Sequence, residues 1–460
     1  MEITKKLVKF CSTLKYDDLP LDAIDRAKYY ALDFLGVTAR GSQEESSKAM
    51  YNFVKGLGIV NEGGVIIGTK MKTSFQYSAL ANGTAAHSLE LDDVNNEASL
   101  HPGVAIFPAA IAACEMANKG GKEFIEGVVL GYEVMIRMGK ALDPKEQYRK
   151  GFHPTGTCGV FGATVAVAKI LGLSEIEMLN AIGLAGSQAA GSMEFLAQGA
   201  WSKRMHPGWA AHNGIIASLL AKNGFTGPSS IIEGRLGFLH AYSDNAAPEK
   251  VIDGLGDDFE ILKCSIKPHA CCRYMQPSID AILKIMNENK INPDDIEKVT
   301  LGILQAGYSI IASPIDSKRN PQTVYEAQFS MPYGAAIAIL FGKATLDEFT
   351  QDKLNLPEIK ALMEKVDCVK NPELDKMYPE HWPANVEIKT KDGKIFSIRL
   401  ESPKGDPENP LTWNELIEKF NGLASTIYSE AQRKKMIEEI KSIEKIKNLK
   451  RWTSTLLKDN

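Results

Sequence analysis

The chain holds only eight histidines. Six of them, His87, His101, His153, His206, His212 and His269, fall in or beside polar segments punctuated by glycine and proline. His101, His153 and His206 are each followed directly by proline. The residue before proline is steered into extended backbone, so such a histidine is expected on a loop at the mouth of a helix. One alone reads as structure; three of the same kind read as a site. An imidazole titrates near neutral pH and can serve as general acid or base.

The segment from His87 to His101 adds Glu90, Asp92 and Asp93 to an imidazole at each end. Three readings stay open: a divalent cation site, an acid/base cluster, or a polar helix terminus capped by aspartate. No HxH or HxxxH spacing supports the cation, and no metal is expected. Two further stretches supply positive charge. Trp201-Ser-Lys-Arg-Met-His206 carries Lys203, Arg204 and His206, and Lys267 to Tyr274 carries Lys267 and Arg273. A run of charge is commonly a solvated face. Set among Trp, Met, Pro and Gly, these cations also suit a cleft that clamps carboxylates or phosphates. Neither stretch has a glycine-rich phosphate-loop pattern, so no nucleotide is indicated. Cys271-Cys272 reads as apolar packing.

The elements that must position these residues are mostly helices. Apolar residues at three- and four-residue spacing predict helices over 21–37, 73–89, 102–118, 122–140, 174–190 and 210–223. Residues 157–171, rich in Ala, Gly and Val, predict a helix packed on all sides. The character changes near Lys263. Residues 296–304 alternate and are β-branched, which predicts a strand. Two alternating runs over 384–400 flank Lys391-Asp392-Gly393, a hairpin signal. Helical patterns lie between, at 332–342 and 345–366. Helix returns after Pro403, at 413–423 and 430–446.

The 460 residues suffice for two large domains or three ordinary ones. Fifty-three Lys plus Arg against fifty-seven Asp plus Glu leave a net charge of −4, which argues against a nucleic-acid partner. The seven cysteines include no CxxC pair and read as reduced core residues of a cytoplasmic protein. No signal peptide and no membrane span are expected.

Read together, several words of the chain resemble the MmgE/PrpD family, which includes 2-methylcitrate dehydratases, cis-aconitate decarboxylases and iminodisuccinate epimerases. They are Asn82 to His87, Leu91-Asp92-Asp93 through His101-Pro102-Gly103, Gly151 to Gly156, Trp201 to Gly208, Gly224 to Pro228, and Lys267 through Cys272-Arg273-Tyr274. The resemblance implies a mainly α fold with an inserted α+β domain. A large helical domain would be built from 1–262 and 403–460, with a smaller lid domain over 263–402. It implies a homodimer with no cofactor and catalytic roles for His101, His153, Lys203, Lys267 and Tyr333. Glu90, Asp93, Arg204, His206 and Arg273 would contact the substrate, a small anionic polycarboxylate. The expected function is elimination of water from a hydroxy di- or tricarboxylate such as 2-methylcitrate. Epimerisation or decarboxylation of a related acid is the alternative, and a non-catalytic carboxylate-binding protein is the competing class. Three positions depart from the pattern: Glu90 and Val94 stand where decarboxylase-like members have Asp and Thr, and Gln276 stands where many bacterial members have His.

Overall fold

The computed structural model describes residues 2–58, 60, 62–378 and 381–458. The chain divides into two compact units, Met1–Cys264 with Thr412–Asn460, and Ser265–Leu411.

The first unit is helical. Its main helices are α1 (Ile3–Thr13), α2 (Leu21–Gly41), α3 (Glu45–Leu57), α4 (Phe75–Ala86), α5 (Gly103–Ala117), α6 (Gly121–Leu142), α7 (Pro154–Ile170), α8 (Glu175–Gly186) and α9 (Ser202–Lys222). In α7 every residue except Lys169 is buried, the pattern of a helix wrapped by neighbours. Small residues let those neighbours come close. A Cβ on Gly83 of α4 would stand 2.6 Å from Cα of Gly208 in α9. A Cβ on Gly208 would meet the carbonyl oxygen of Leu80 at 2.2 Å. The two backbones therefore touch where both residues lack a side chain. Aromatic rings pack between α2, α5 and α6: Phe34 of α2 stacks on Phe107 of α5 at 5.2 Å, and Tyr30 on Tyr132 of α6 at 5.7 Å.

The second unit holds α10 (Gln276–Asn289), β1 (Ile296–Ile303), α11 (Met331–Phe341), β2 (Val366–Lys370), β3 (Ala384–Thr390) and β4 (Ile395–Leu400). The strands form one sheet in the order β2-β1-β3-β4, with β1 and β2 parallel and the other pairs antiparallel. Val299 pairs with Val366 on one side and Ile388 on the other. The predicted hairpin is present. Gly393 takes a φ of 84° in its turn, and Thr390 donates to Asp392 Oδ1 at 2.6 Å.

Two expectations are corrected here. The helical pattern over 345–366 holds a single 3-10 turn, Lys353–Asn355, and a short helix, Pro357–Met363, before the chain enters β2. Proline at the first helical position starts this helix afresh and forbids continuity with what precedes it. The return to the helical unit also comes later than residue 403. Residues 403–411 stay with the second unit, where Ile266 donates its N–H to Gly405 and Lys404 donates to Asp280. The first unit resumes with α12 (Trp413–Ala424), whose N-cap Thr412 forms a capping box with Glu415, and α13 (Glu430–Lys441). Phe420 of α12 packs on Gly36 of α2. Among the described residues no helix is long and apolar enough to cross a membrane.

The α4–α9 contact is testable. Gly208→Ala should cost about 1–3 kcal/mol in urea unfolding, because the methyl group overlaps backbone atoms. Gly56→Ala, at an exposed position of α3 with nothing within 4 Å of its Cβ position, should be neutral or stabilising. Equal effects at the two sites would show that α4 and α9 do not need their close approach.

Candidate active site

Helix α4 ends at Ala86, and His87 to Leu89 continue as one 3-10 turn. Glu90 then adopts a left-handed conformation, φ 56°, which turns the chain sharply. The loop that follows is closed by paired hydrogen bonds between Asn95 and Leu100. It returns through His101 and Pro102 to the start of α5.

Two histidines sit as their proline neighbours dictate. His101 lies outside any helix, just before α5, its N–H donating to Thr155 Oγ1 at 3.1 Å. His153 is the extended N-cap of α7, with Pro154 at the first helical position and its own N–H given to Gly191. His206 is the exception. It lies inside α9, although Pro207 follows it, because the close packing of α9 outweighs the local preference. Pro207 cannot donate to the carbonyl of Lys203, a loss confined to the first turns of α9.

These elements gather four imidazoles. The rings of His101 and His87 lie 5.1 Å apart, His87 and His153 5.8 Å, and His153 and His206 5.3 Å. His153 and His206 face each other Nδ1 to Nδ1 at 3.1 Å. Asp92 lies against the other two, its Oδ2 2.8 Å from His87 Nδ1 and 3.1 Å from His101 Nδ1. His101 Nδ1 also lies 2.7 Å from the carbonyl oxygen of Asp93. Lys203, in the first turn of α9, places Nζ 2.5 Å from each carboxylate oxygen of Glu90. His101, Glu90 and Lys203 keep 14%, 13% and 21% of their side chains exposed, while Asp92 and His87 are sealed. The partly exposed three form the rim that a solute can reach.

Burial sets the charges. It pushes the His153 imidazole well below its ordinary range, reinforced by His87 and Lys203. It lowers His206 to about 4, with the same two neighbours adding to the effect. Burial also works against an ionised Asp92, but His87 and His101 outweigh it and hold the carboxyl well below the usual carboxylate range. Asp93 goes the other way. Burial raises it to about 8, although Tyr132 and the Gly103 N–H bond to it.

His87, Asp92 and His101 bring ligand-type atoms within 4.8 Å of one another. Both imidazole nitrogens face the same carboxylate oxygen at hydrogen-bond distance, an imidazole–carboxylate–imidazole chain.

The remaining expected residues are placed as follows. Asp93 has its carboxyl bonded within the fold: Gly103 N–H, at the start of α5, and the Tyr132 hydroxyl donate to it at 3.0 and 2.7 Å. It caps a helix because the loop must re-enter α5 beside it. Arg204 donates to Ser46 Oγ at 3.0 Å and lies 3.7 Å from Glu44. Lys267, Arg273 and Tyr333 belong to the second unit. Lys267 is buried there. Arg273 is ion-paired with Asp406 and lies over the Trp382 ring. Tyr333 is a core aromatic that packs on Phe349 and donates its hydroxyl to the Glu348 carbonyl at 2.8 Å. Gln276 is fully buried and bonds to the backbone of His269 and Cys271, which shapes that loop. His87 and Asp92 stand in the sequence as parts of a motif word and a carboxylate loop. Only the five-residue spacing between them hints that one orients the other.

The chain belongs to the MmgE/PrpD family: residues 5–250 match its N-terminal domain and residues 269–445 its C-terminal domain. It is 28% identical to the cis-aconitate decarboxylase-like protein oryM of Aspergillus oryzae, over 96% of this chain and 94% of that one. It is 27% identical to the human cis-aconitate decarboxylase, over 99% and 94% of the two chains. To the 2-methylcitrate dehydratase of Salmonella typhimurium it is 23% identical, over 88% and 87%.

The buried acid Asp93 gives a pH signature. Its folded-state value lies above the unfolded one, so its contribution to stability is complete at low pH and is lost as pH rises from about 4 to about 8. Asp93→Asn removes that titration. The stability of wild type relative to Asp93→Asn should therefore fall across this window in urea unfolding. A difference that stays flat would mean that Asp93 is ionised in the fold.

Proposed function

We propose that the protein is a cofactor-independent lyase that moves a proton at the carbon beside a carboxylate of a small polycarboxylate. The observation that carries this reading is the contact of His101 Nδ1 with the Asp93 carbonyl. A carbonyl only accepts, so Nδ1 bears the hydrogen, and whenever the ring is neutral its lone pair lies on Nε2. That is the state a general base needs. His153, kept neutral by burial, is the second proton carrier. Losing the Cα proton leaves an enolate-like dianion, and Lys203 is the cation that offsets it. In the resting protein Glu90 holds that ammonium, so an entering carboxylate competes with Glu90 for it.

In a dehydration the base takes the Cα proton, the acid protonates the leaving hydroxyl, and water departs. In a decarboxylation the C–C bond to one carboxylate breaks, CO2 departs, and an acid protonates the carbanion. Dehydration of a hydroxy tricarboxylate such as 2-methylcitrate is the reading from the sequence words. Decarboxylation of cis-aconitate is the second reading. It is favoured by relatives bearing that name, which match nearly the whole chain at higher identity than the dehydratase.

The test incubates the protein in deuterated water with 2-methylcitrate or with cis-aconitate, followed by proton NMR. Loss of the hydroxyl from 2-methylcitrate supports the hydro-lyase, and a deuterated decarboxylation product supports the decarboxylase. His101→Gln should abolish label incorporation. Saturable binding with neither turnover nor label would leave only a carboxylate-binding protein. Lys203→Ala should lower kcat/KM by at least about 100-fold, the scale of one lost transition-state contact, with its urea midpoint retained. Near-wild-type turnover would remove Lys203 from the mechanism.

A further inference from the structure

The proton carriers named so far leave one part of the cluster unused. His87 is completely buried, and its Nε2 has no partner among the described residues. Asp92 is equally sealed, and its Oδ1 also lacks a partner there. Unanswered buried polar atoms cost free energy, so their persistence at the centre of an imidazole cluster points to a task.

We propose that Asp92 is a positioning residue: its Oδ2, which two imidazoles face, fixes His87 as the Nδ1–H tautomer and so presents His87 Nε2 as a further proton-accepting atom. The geometry is 2.8 Å to His87 and 3.1 Å to His101. An ionised carboxylate only accepts, so each imidazole nitrogen facing it must carry a hydrogen. The two rings differ in how firmly they are held. His101 is bonded a second time, to the Asp93 carbonyl, whereas Asp92 is the partner of His87 Nδ1. His87 is therefore the ring whose tautomer depends on Asp92. Its ring stacks within 5.8 Å of His153 and meets His101 edge-on. This deepens the lyase reading and rests on it for its kinetic part.

The experiment labels histidine with 15N and reads the tautomer of each ring by NMR, alongside kcat and KM. In wild type both His87 and His101 should be Nδ1–H. In Asp92→Ala, His101 should keep that tautomer and His87 should lose it. The kcat should fall about 100-fold, with KM within a few-fold. Asp92→Asn, whose amide keeps the shape, should fold like wild type and show an intermediate kcat; it replaces Asp92→Ala for the kinetics if that variant does not fold. A wild-type His87 found as Nε2–H, or a His87 tautomer indifferent to Asp92→Ala, would overturn the proposal. So would wild-type kcat in both variants of an active enzyme, and the lyase reading would then still stand. The expected tautomers in a protein that turns over no polycarboxylate would uphold the positioning and overturn the lyase reading instead.

Discussion

The close approach of α4 and α9 is the constraint on which the candidate site depends. Two helices meet backbone to backbone at Gly83 and Gly208, a contact that no side chain larger than hydrogen permits. His87 lies one turn beyond Gly83, where α4 gives way to its terminal turn. Lys203 and His206 lie within the two turns before Gly208. The crossing thus brings the end of one helix and the start of another to one place. Helix α7 adds His153 from its own N-terminus, and the loop into α5 adds His101. Four helix ends converge, and helix ends are where backbone is free to turn side chains inward.

The charges of the cluster are graded with depth. Behind the rim, His153 and His206 are neutral and Asp93 holds its proton more tightly than an ordinary carboxyl. Asp92 keeps its negative charge because two imidazoles face it. The Lys203–Glu90 ion pair sits at the rim, where water still screens it. This ordering follows from the cost of burying charge: deep groups are neutral or tightly partnered, and free exchange of ionic partners is reserved for the accessible edge.

Much of this organisation is legible in the residues. Alternation in 296–304 and the Asp392-Gly393 turn give β1 and the β3–β4 hairpin, since both depend on local chemistry. Pro102 and Pro154 report the non-helical backbone at His101 and His153 for the same reason. His206 escapes the rule because tertiary packing decides its conformation. The strand β2 escapes notice because it is short and only its first residue is buried, so that pairing with β1 defines it. Asp93 and Asp92 are adjacent and chemically identical, yet one caps α5 and the other faces two imidazoles. No spacing rule separates them; the direction in which the loop re-enters the helix does. Tyr333 by its sequence context reads as a core aromatic, and its hydroxyl donates to a backbone carbonyl of its own unit.

The contact between His153 and His206 has a consequence of its own. With both rings neutral, the two facing nitrogens share a single hydrogen across 3.1 Å. The rings are therefore never alike: one donates while the other accepts, and their far nitrogens carry opposite patterns. Shifting that hydrogen from one nitrogen to the other requires a matching exchange at both far sides. The tautomer of either ring thus fixes that of the other.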